Sequence, residues 1–440
     1  MPTQFDPPSG TRDFLAAELE VRERAFEITR DVFARYGFEP LQTPAFERLD
    51  VLTGKYGDEG DKLIFKILRR GEHEASGEAD LALRYDLTVP LARVAAAYGS
   101  RLPSPYKRYA IGPVWRADRP GKGRYREFVQ CDLDTLGSAS LLADAEILCA
   151  VNDALTELGI GHFTFLLNSR RALAGLLEAF GVPEDRGASL LITLDKLDKL
   201  APDDVIAELV TRGLPGERAA DLVAVMTGHD AVKAVRAVLE STEAGPAGLA
   251  EIDRVLELVT PLVPQDRIVF TPRLVRGLSY YTGPIWEVVA PGMSGSIASG
   301  GRYDHLIEAL GGPDVPACGG SLGIERIIPL IPRADSHRTG RLDVAVAVLG
   351  DEYAPQGFAF AGAARCAGLR ASVYLGSSGK LGRQLKWASD REARWCLLYG
   401  SAEHTTGVVT VRDMTTGEQT AVPAAELRDH LARLATASDA

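Results

Sequence analysis

Apolar residues recur at helical spacing near the start of the chain. Leu15, Leu19, Phe26, Ile28, Val32, Phe33 and Tyr36 form one stripe, and Gly37 follows as a stop signal, so the pattern predicts an amphipathic helix over 13–37. FEPLQTPAFER is punctuated by Pro40 and Pro44 and reads as extended. Residues 81–99 read as a strand running into a helix. Residues 105–118 read as a strand, 119–124 (RPGKGR) as a loop and 125–137 as a returning strand, which together predict a β-hairpin with a glycine-containing tip. Residues 138–260 are rich in Ala, Leu, Asp and Glu, and their middle reads as an inserted helical module of about 165–260. RGLSYYTGPIWEVV (276–289) is aromatic and β-branched and predicts a strand. Neighbouring strand side chains face opposite ways, so Tyr280 and Tyr281 are not expected to share one core. Glycine clusters at 300–301 and 319–323 are each followed by a helix-like run. Polar RADSHRTGRLD predicts a linker at 333–340. The remainder, 341–440, alternates strand and helix and predicts a small α/β domain with parallel strands.

Composition narrows the class. Of 440 residues, 46% are hydrophobic and 25% charged, as in ordinary globular proteins. The five cysteines form no CxxC pair, which argues against a disulfide framework or zinc site and for a reducing compartment. The N-terminus has no charged-then-apolar pattern and no apolar run reaches bilayer length, so a cytoplasmic protein is expected. Net charge is −11, yet residues 101–130 carry eight basic and two acidic side chains, a local patch suited to anions. No P-loop, HExxH or GxSxG sequence occurs. Four arginines, Arg84, Arg116, Arg276 and Arg326, are embedded in apolar surroundings. Each alone is explained by a structural salt bridge; together they suit a polyphosphate pocket.

These residues resemble the histidyl-tRNA synthetases, a family of class II aminoacyl-tRNA synthetases. The segment 13–37 with EPLQTPAFE is similar to motif 1, GPVWRADRPGKGRYREFVQCDLDTLG (112–137) to motif 2 and GGSLGIERII (319–328) to motif 3. RGLSYYTG (276–283) and SGGRYDHL (299–306) resemble the two segments typical of the histidine branch, with further matches in LRYDLTVPLAR (83–93) and TLDKLDKL (193–200). The resemblance runs over essentially the whole chain. It implies an α+β fold: an antiparallel sheet flanked by helices in a catalytic domain over 1–332, a helical insert that approaches the tRNA acceptor stem, and an anticodon-binding-like domain over 341–440. It further implies a homodimer built through motif 1.

The same resemblance implies the chemistry, activation of L-histidine by ATP with Mg²⁺ and its transfer to tRNA(His). Arg116 is expected on the α-phosphate. Arg276 is expected on the same region from the opposite side and on the substrate carboxylate, where relatives outside this branch use a metal ion. Arg326 is expected on the adenine and γ-phosphate, with Arg124 also at ATP and Asp118 at the adenine amino group or Mg²⁺; no metal ligand is assigned. Asp86, Thr88 and Gln130 match acceptors of the histidine ammonium. Asp134 and Tyr281 match partners of the imidazole, Tyr280 supports and Tyr303 closes a wall. Arg119, Lys122, Lys380, Arg383 and Lys386 are expected to face tRNA, with Trp387 alongside for stacking. The chain departs from the family at Ser279, where an acidic residue is usual, at Gly320, where many relatives carry a larger apolar residue, and at Asp86 and Asp134, one methylene shorter than the glutamates of some relatives. Two rival readings follow from those departures and from kinship: a paralogue that activates histidine or an analogue without charging tRNA, and a silent regulatory subunit of ATP phosphoribosyltransferase. Intact phosphate arginines and the 341–440 domain weigh against the second.

Overall fold

The structure is a computed structural model and describes residues 5–56, 60–71, 76–121, 123–198, 200–276, 280–332 and 341–436. Ser279, Lys122 and the expected linker 333–340 lie outside the described residues. Two compact units are present, Met1–Phe14 with Val21–Arg333 and Leu15–Glu20 with Ala334–Ala440.

The first predicted helix spans Ala16–Arg35 and buries Ala25, Phe26, Thr29, Val32 and Phe33. Gly37, at φ +78°, ends it. Leu15 and Leu19, counted in the stripe, are exposed, so the apolar face begins only at the second turn. The main sheet of the larger unit has eight strands. In chain order these are β1 (Glu39–Pro40), β5 (Tyr106–Trp115), β6 (Glu127–Leu136), β7 (Thr164–Ser169), β8 (Ile268–Phe270), β9 (Pro284–Val289), β10 (Ala298–Arg302) and β11 (Ala317–Gly323). Their spatial order is β1-β5-β6-β11-β10-β9-β7-β8, antiparallel except where β1 meets β5 and β7 meets β8. The α+β architecture expected from the sequence is therefore present. A separate antiparallel three-stranded sheet joins β2 (Phe46–Arg48), β4 (Ala79–Leu83) and β3 (Lys66–Leu68). β4 leads into the helix Thr88–Tyr98.

The predicted hairpin is β5 and β6, paired from Tyr106↔Leu136 to Trp115↔Glu127. Strand alternation gives each face a job. Tyr109 lies toward Phe33 of the first helix at 6.1 Å between rings, while Arg108, opposite Asp134, points to the other side. The helical region begins at Arg170 and not near 165, because Thr164–Ser169 is strand β7 of the main sheet; six helices then follow as far as Val259. Left-handed backbone marks another correction: Arg276 sits at φ +60° and the strand starts only at Pro284, after Tyr280 and Tyr281, so the strand alternation argument does not apply to the two tyrosines.

The glycine clusters lie in strands, and the helix Ile324–Ile327 follows the second of them as expected. Gly300 and Gly301 lie in β10, opposite Gly320 and Gly319 of β11. A Cβ on Gly300 would meet the Gly319 carbonyl oxygen at 2.2 Å, and one on Gly320 would meet the Trp286 ring at 2.4 Å. Trp286, fully buried from β9, occupies the space a larger residue at 320 would need.

In the smaller unit, β12 (Val344–Val348), β13 (Ala371–Val373), β14 (Trp395–Tyr399), β15 (Val408–Asp413) and β16 (Gln419–Pro423) form one sheet ordered β13-β12-β14-β15-β16. The first three strands are parallel as expected, but β14, β15 and β16 pair antiparallel, so the sheet is mixed. β16 and the helix Leu427–Thr436 carried no clear sequence signal; β16 is short, mostly exposed and ends in Pro423. Among the described residues no helix is long and apolar enough to cross a membrane.

Candidate active site

β5, β6, β9, β10 and β11 bring the sequence-predicted residues to one cleft of about 420 Å³, in the range of small-molecule sites. Asp86, Thr88, Arg116, Asp118, Arg124, Gln130, Asp134, Arg276, Tyr280, Tyr281, Tyr303 and Arg326 all line it. Charge is segregated along β6. Arginines gather where the hairpin tip opens, and carboxylates gather toward the far end of the strand.

At the tip, Arg116 donates from Nε to the Tyr85 carbonyl at 3.1 Å, and its guanidinium lies 4.3 Å from the Tyr85 ring and 5.1 Å from that of Phe128. Among the described residues no carboxylate forms an ion pair with it, so its charge is available to a ligand. Asp118, nearly buried, holds Arg124 at 2.7 Å, and that hydrogen bond raises the Arg124 pKa. Arg326 donates to the Ser296 carbonyl at 2.7 Å; burial lowers its pKa, and the Arg124 and Arg116 charges act in the same direction. A row of like charges with few internal partners is unstable alone and is relieved by polyanion binding. Arg276 is held by Glu287 of β9. Burial works against its charge, but Tyr281 and Glu287 outweigh that and raise its pKa. Its positive φ and its unpaired, buried Nε mark a strained residue aimed by its surroundings.

At the other end, Asp86 accepts from the Tyr56 hydroxyl at 3.1 Å and from the Val89 backbone at 3.0 Å, which fixes it at the head of helix Thr88–Tyr98. Burial raises its pKa. Gln130 donates to Ser321 Oγ at 3.2 Å, leaving its carbonyl oxygen unpaired. Asp134 accepts from the Tyr303 hydroxyl and lies 2.8 Å from Arg108, a guanidinium with no solvent exposure. Burial raises the Asp134 pKa, and Arg108 opposes that rise. A Cβ on Gly319 would strike Asp134 at 2.0 Å, so the glycine floor is required beneath this carboxylate. Tyr280 packs at a tilt against Tyr281, 4.9 Å between rings, and edge-on against Tyr303, at 5.9 Å. Both tyrosines thus border the cleft.

Not every predicted group is there. Arg84 does not line the cleft. Its guanidinium is satisfied by the carbonyls of Pro113 at 2.8 Å, Thr43 at 2.8 Å and Pro44 at 3.3 Å, so it is a structural arginine. Arg119 is exposed at the hairpin tip. In the smaller unit, Lys380, Arg383 and Lys386 are exposed on helix Leu381–Asp390 or at its cap, but Lys386 pairs with Asp390 at 2.8 Å, and Trp387 packs edge-on against Tyr374 at 5.5 Å. Trp387 is half-buried packing and not a free stacking platform. Missed altogether were Arg108, Asp132, Tyr56, Ser321 and Glu325. Alternation along β6 from Gln130 carried the signal for Asp132. Glu325 takes Arg22 at 2.9 Å and Arg12 as well, tying motif 3 to the segment before it in the same unit.

Residues 10–327 match the Histidyl-tRNA synthetase family and residues 343–434 match the Anticodon binding domain. Histidine--tRNA ligase of Gloeobacter violaceus is 39% identical, across 94% of this chain and 96% of the relative. That of Phocaeicola vulgatus is 36% identical, across 96% and 97%. The crystal structure of histidyl-tRNA synthetase from Nostoc sp. PCC 7120 superposes with a TM-score of 0.76 at 29% identity, covering 98% of this chain and all of that one. Arginines at one end of the cleft, carboxylates at the other and matches of this extent agree, and the chain belongs to the histidyl-tRNA synthetase family.

Proposed function

We propose that the cleft activates L-histidine with ATP and passes the histidyl group to tRNA(His). The chain is a histidine--tRNA ligase that uses ATP. The observation that carries the assignment of roles is the charge segregation along β6, which lays a zwitterionic amino acid end to end with a polyphosphate.

The histidine carboxylate attacks the α-phosphorus; the new O–P bond forms as the bond to the β-phosphate oxygen breaks and pyrophosphate leaves. The terminal ribose hydroxyl of the tRNA then attacks the anhydride carbonyl and AMP leaves. Negative charge grows on the phosphoryl oxygens, so positioning and electrostatic stabilisation supply most of the rate. Arg116 takes the α-phosphate. Arg276, braced by Glu287, meets the same phosphate and the substrate carboxylate. Arg326 lies over the adenine and toward the γ-phosphate, beside Arg124, and Asp118 accepts from the adenine amino group. Mg²⁺ enters as the ATP complex. Mg²⁺ would neutralise charge on the phosphates; Asp118, paired with Arg124, and Glu287, paired with Arg276, are carboxylates near those arginines.

Asp86, Thr88 and Gln130 take the ammonium. Asp134 and Tyr281 border the imidazole, with Tyr303 closing the wall and Tyr280 bracing both rings. Arg119 and Lys122 receive the acceptor end of tRNA, while Lys380, Arg383 and Lys386 contact phosphates from the smaller unit. The helical insertion approaches the acceptor stem. We read the chain as a homodimer through the motif 1 segment, where Phe46 remains exposed on β2. A cytoplasmic setting fits five cysteines that are all free.

Histidine-dependent ATP–pyrophosphate exchange, followed by charging of tRNA(His), tests the reading. Exchange with histidine and with no other amino acid is expected. Absence of exchange with every amino acid overturns the phosphate-clamp roles of Arg116 and Arg276.

A further inference from the structure

The segment that carries Arg276, Tyr280 and Tyr281 is gripped at both ends by residues where β7 closes. Asn168 is 2% exposed and does not line the cleft. Its side-chain amide donates to the Leu274 carbonyl at 2.8 Å and to the Pro272 carbonyl at 3.1 Å, two and four residues ahead of Arg276. Its Oδ1 accepts from the Ser169 backbone N–H at 2.8 Å. Two carbonyls on one side and an N–H on the other leave a single orientation for this amide. At the far end of the segment, the Arg170 N–H donates to the Gly283 carbonyl at 2.8 Å. Asn168 is itself well anchored. It sits opposite Ile285 of β9, and the Ser169 hydroxyl beside it donates to Glu251 of the helix Gly245–Val259 at 2.5 Å. β9 also supplies Glu287, which holds the Arg276 guanidinium. The paired strands β7 and β9 thus secure Arg276 twice, by the backbone leading to it and by its charge, as a residue at φ +60° requires.

We propose that Asn168 is a positioning residue for Arg276: its amide fixes the backbone leading into that left-handed residue and so aims the guanidinium at the reacting phosphate and carboxylate. This rests on the activation reading above. The residue type suits the role. Buried carbonyls need donors, and asparagine brings two on one planar group. Alanine at 168 would strand both carbonyls. Aspartate would keep the shape and the acceptor for Ser169, but offers at most one donor, and that only when protonated. A displacement of about 1 Å in a group that meets the transition state costs on the order of 100-fold in rate. Nucleotide binding should suffer less, because Arg116, Arg124 and Arg326 also line the cleft.

The test is ATP–pyrophosphate exchange by the full chain, with Asn168→Ala and Asn168→Asp made in wild type and in Arg276→Ala, and with thermal midpoints recorded for each. Asn168→Ala in wild type is expected to lower kcat roughly 10–100-fold and to leave the ATP KM within about threefold. Asn168→Asp should give a smaller loss of the same kind. In the Arg276→Ala background, either substitution should cost only about twofold or less, since the group being aimed is gone. A kcat within about twofold of wild type in both single variants overturns the proposal. So does an equal penalty in the two backgrounds, which would make Asn168 a structural residue alone. Loss of the folded state in both variants overturns it as well. A wild-type chain without histidine-dependent exchange overturns the activation reading and this proposal with it, and is told apart because it fails before any substitution is made.

Discussion

Single side chains decide the chemistry here, and their environments set what each can do. Arg116 has cation–π neighbours but no ion-pair partner among the described residues, so its removal breaks no direct salt bridge. Arg116→Ala should therefore fold normally and lower the exchange rate roughly 100- to 1000-fold, the usual loss for one transition-state donor. Exchange within tenfold of wild type, roughly, with a normal thermal midpoint would remove Arg116 from the phosphate. Asp132 gives a pH prediction. Its folded pKa is raised to about 7, so the native state holds the proton more tightly than the unfolded chain. The stability that proton contributes is complete below the ordinary carboxylate range and is lost as pH rises through about 7. Urea unfolding of the ligand-free chain between pH 5 and pH 8 (roughly the window set by these values) should show a downward slope that Asp132→Asn flattens. An identical slope in both proteins contradicts it. Legibility at this scale was uneven. Arg116, Arg276 and Arg326 stood out because a charge in apolar surroundings needs a reason, but Arg84 looked the same and turned out to serve three carbonyls. Arg108 and Asp132 lay one strand apart, and only the register of β5 on β6 brought them near each other.

Between residues and the molecule stand the strands that shape the cleft floor. β10 and β11 pair glycine on glycine at 300↔320 and 301↔319, and Trp286 fills the space above. Gly320→Ala puts a methyl group 2.4 Å from that ring. Overpacking of this kind should destabilise the chain by about 1–3 kcal/mol in urea unfolding. No loss of stability would mean that Trp286 moves freely. The clamp at Glu325 is a second element-scale feature, joining the helix Ile324–Ile327 to Arg22 of the first helix. Both partners are nearly buried, so Glu325→Gln strands a guanidinium and should cost about 3–5 kcal/mol by the same measurement. A change below about 1 kcal/mol would place the pair in solvent. The hairpin and most helices were legible because periods of 2 and 3.6 survive in the local pattern. The glycine strands were not, because glycine carries no side-chain periodicity and its local signal is a turn. RGLSYY imitated a strand by composition, but Arg276 takes a left-handed backbone instead, a choice that local propensity does not favour.

For the whole molecule, the proposed function assigns the chemistry to the larger unit and an RNA contact to the smaller, whose residues 343–434 match the Anticodon binding domain. Charge reversal at Lys380 and Arg383 lies far in sequence from every cleft residue. It should raise the KM for tRNA in charging roughly tenfold or more and leave ATP–pyrophosphate exchange unchanged, as expected for phosphate contacts. Unchanged charging kinetics would move the RNA contact to another face of the smaller unit. The amino-acid sequence by itself determined the family, the order of motifs, the hairpin, the helical stretch and twelve of the cleft residues, because these depend on residue types at fixed local spacings. Tertiary structure alone decided which arginines line the cleft and that Arg84 serves backbone instead, that the C-terminal sheet is mixed, that glycines form a floor under Asp134, and that Asp132 keeps an unpaired oxygen on the cleft. The physical reason is the same throughout. Periodicity is a property of neighbours along the chain, whereas the satisfaction of a buried charge or hydrogen bond depends on groups brought together from distant strands.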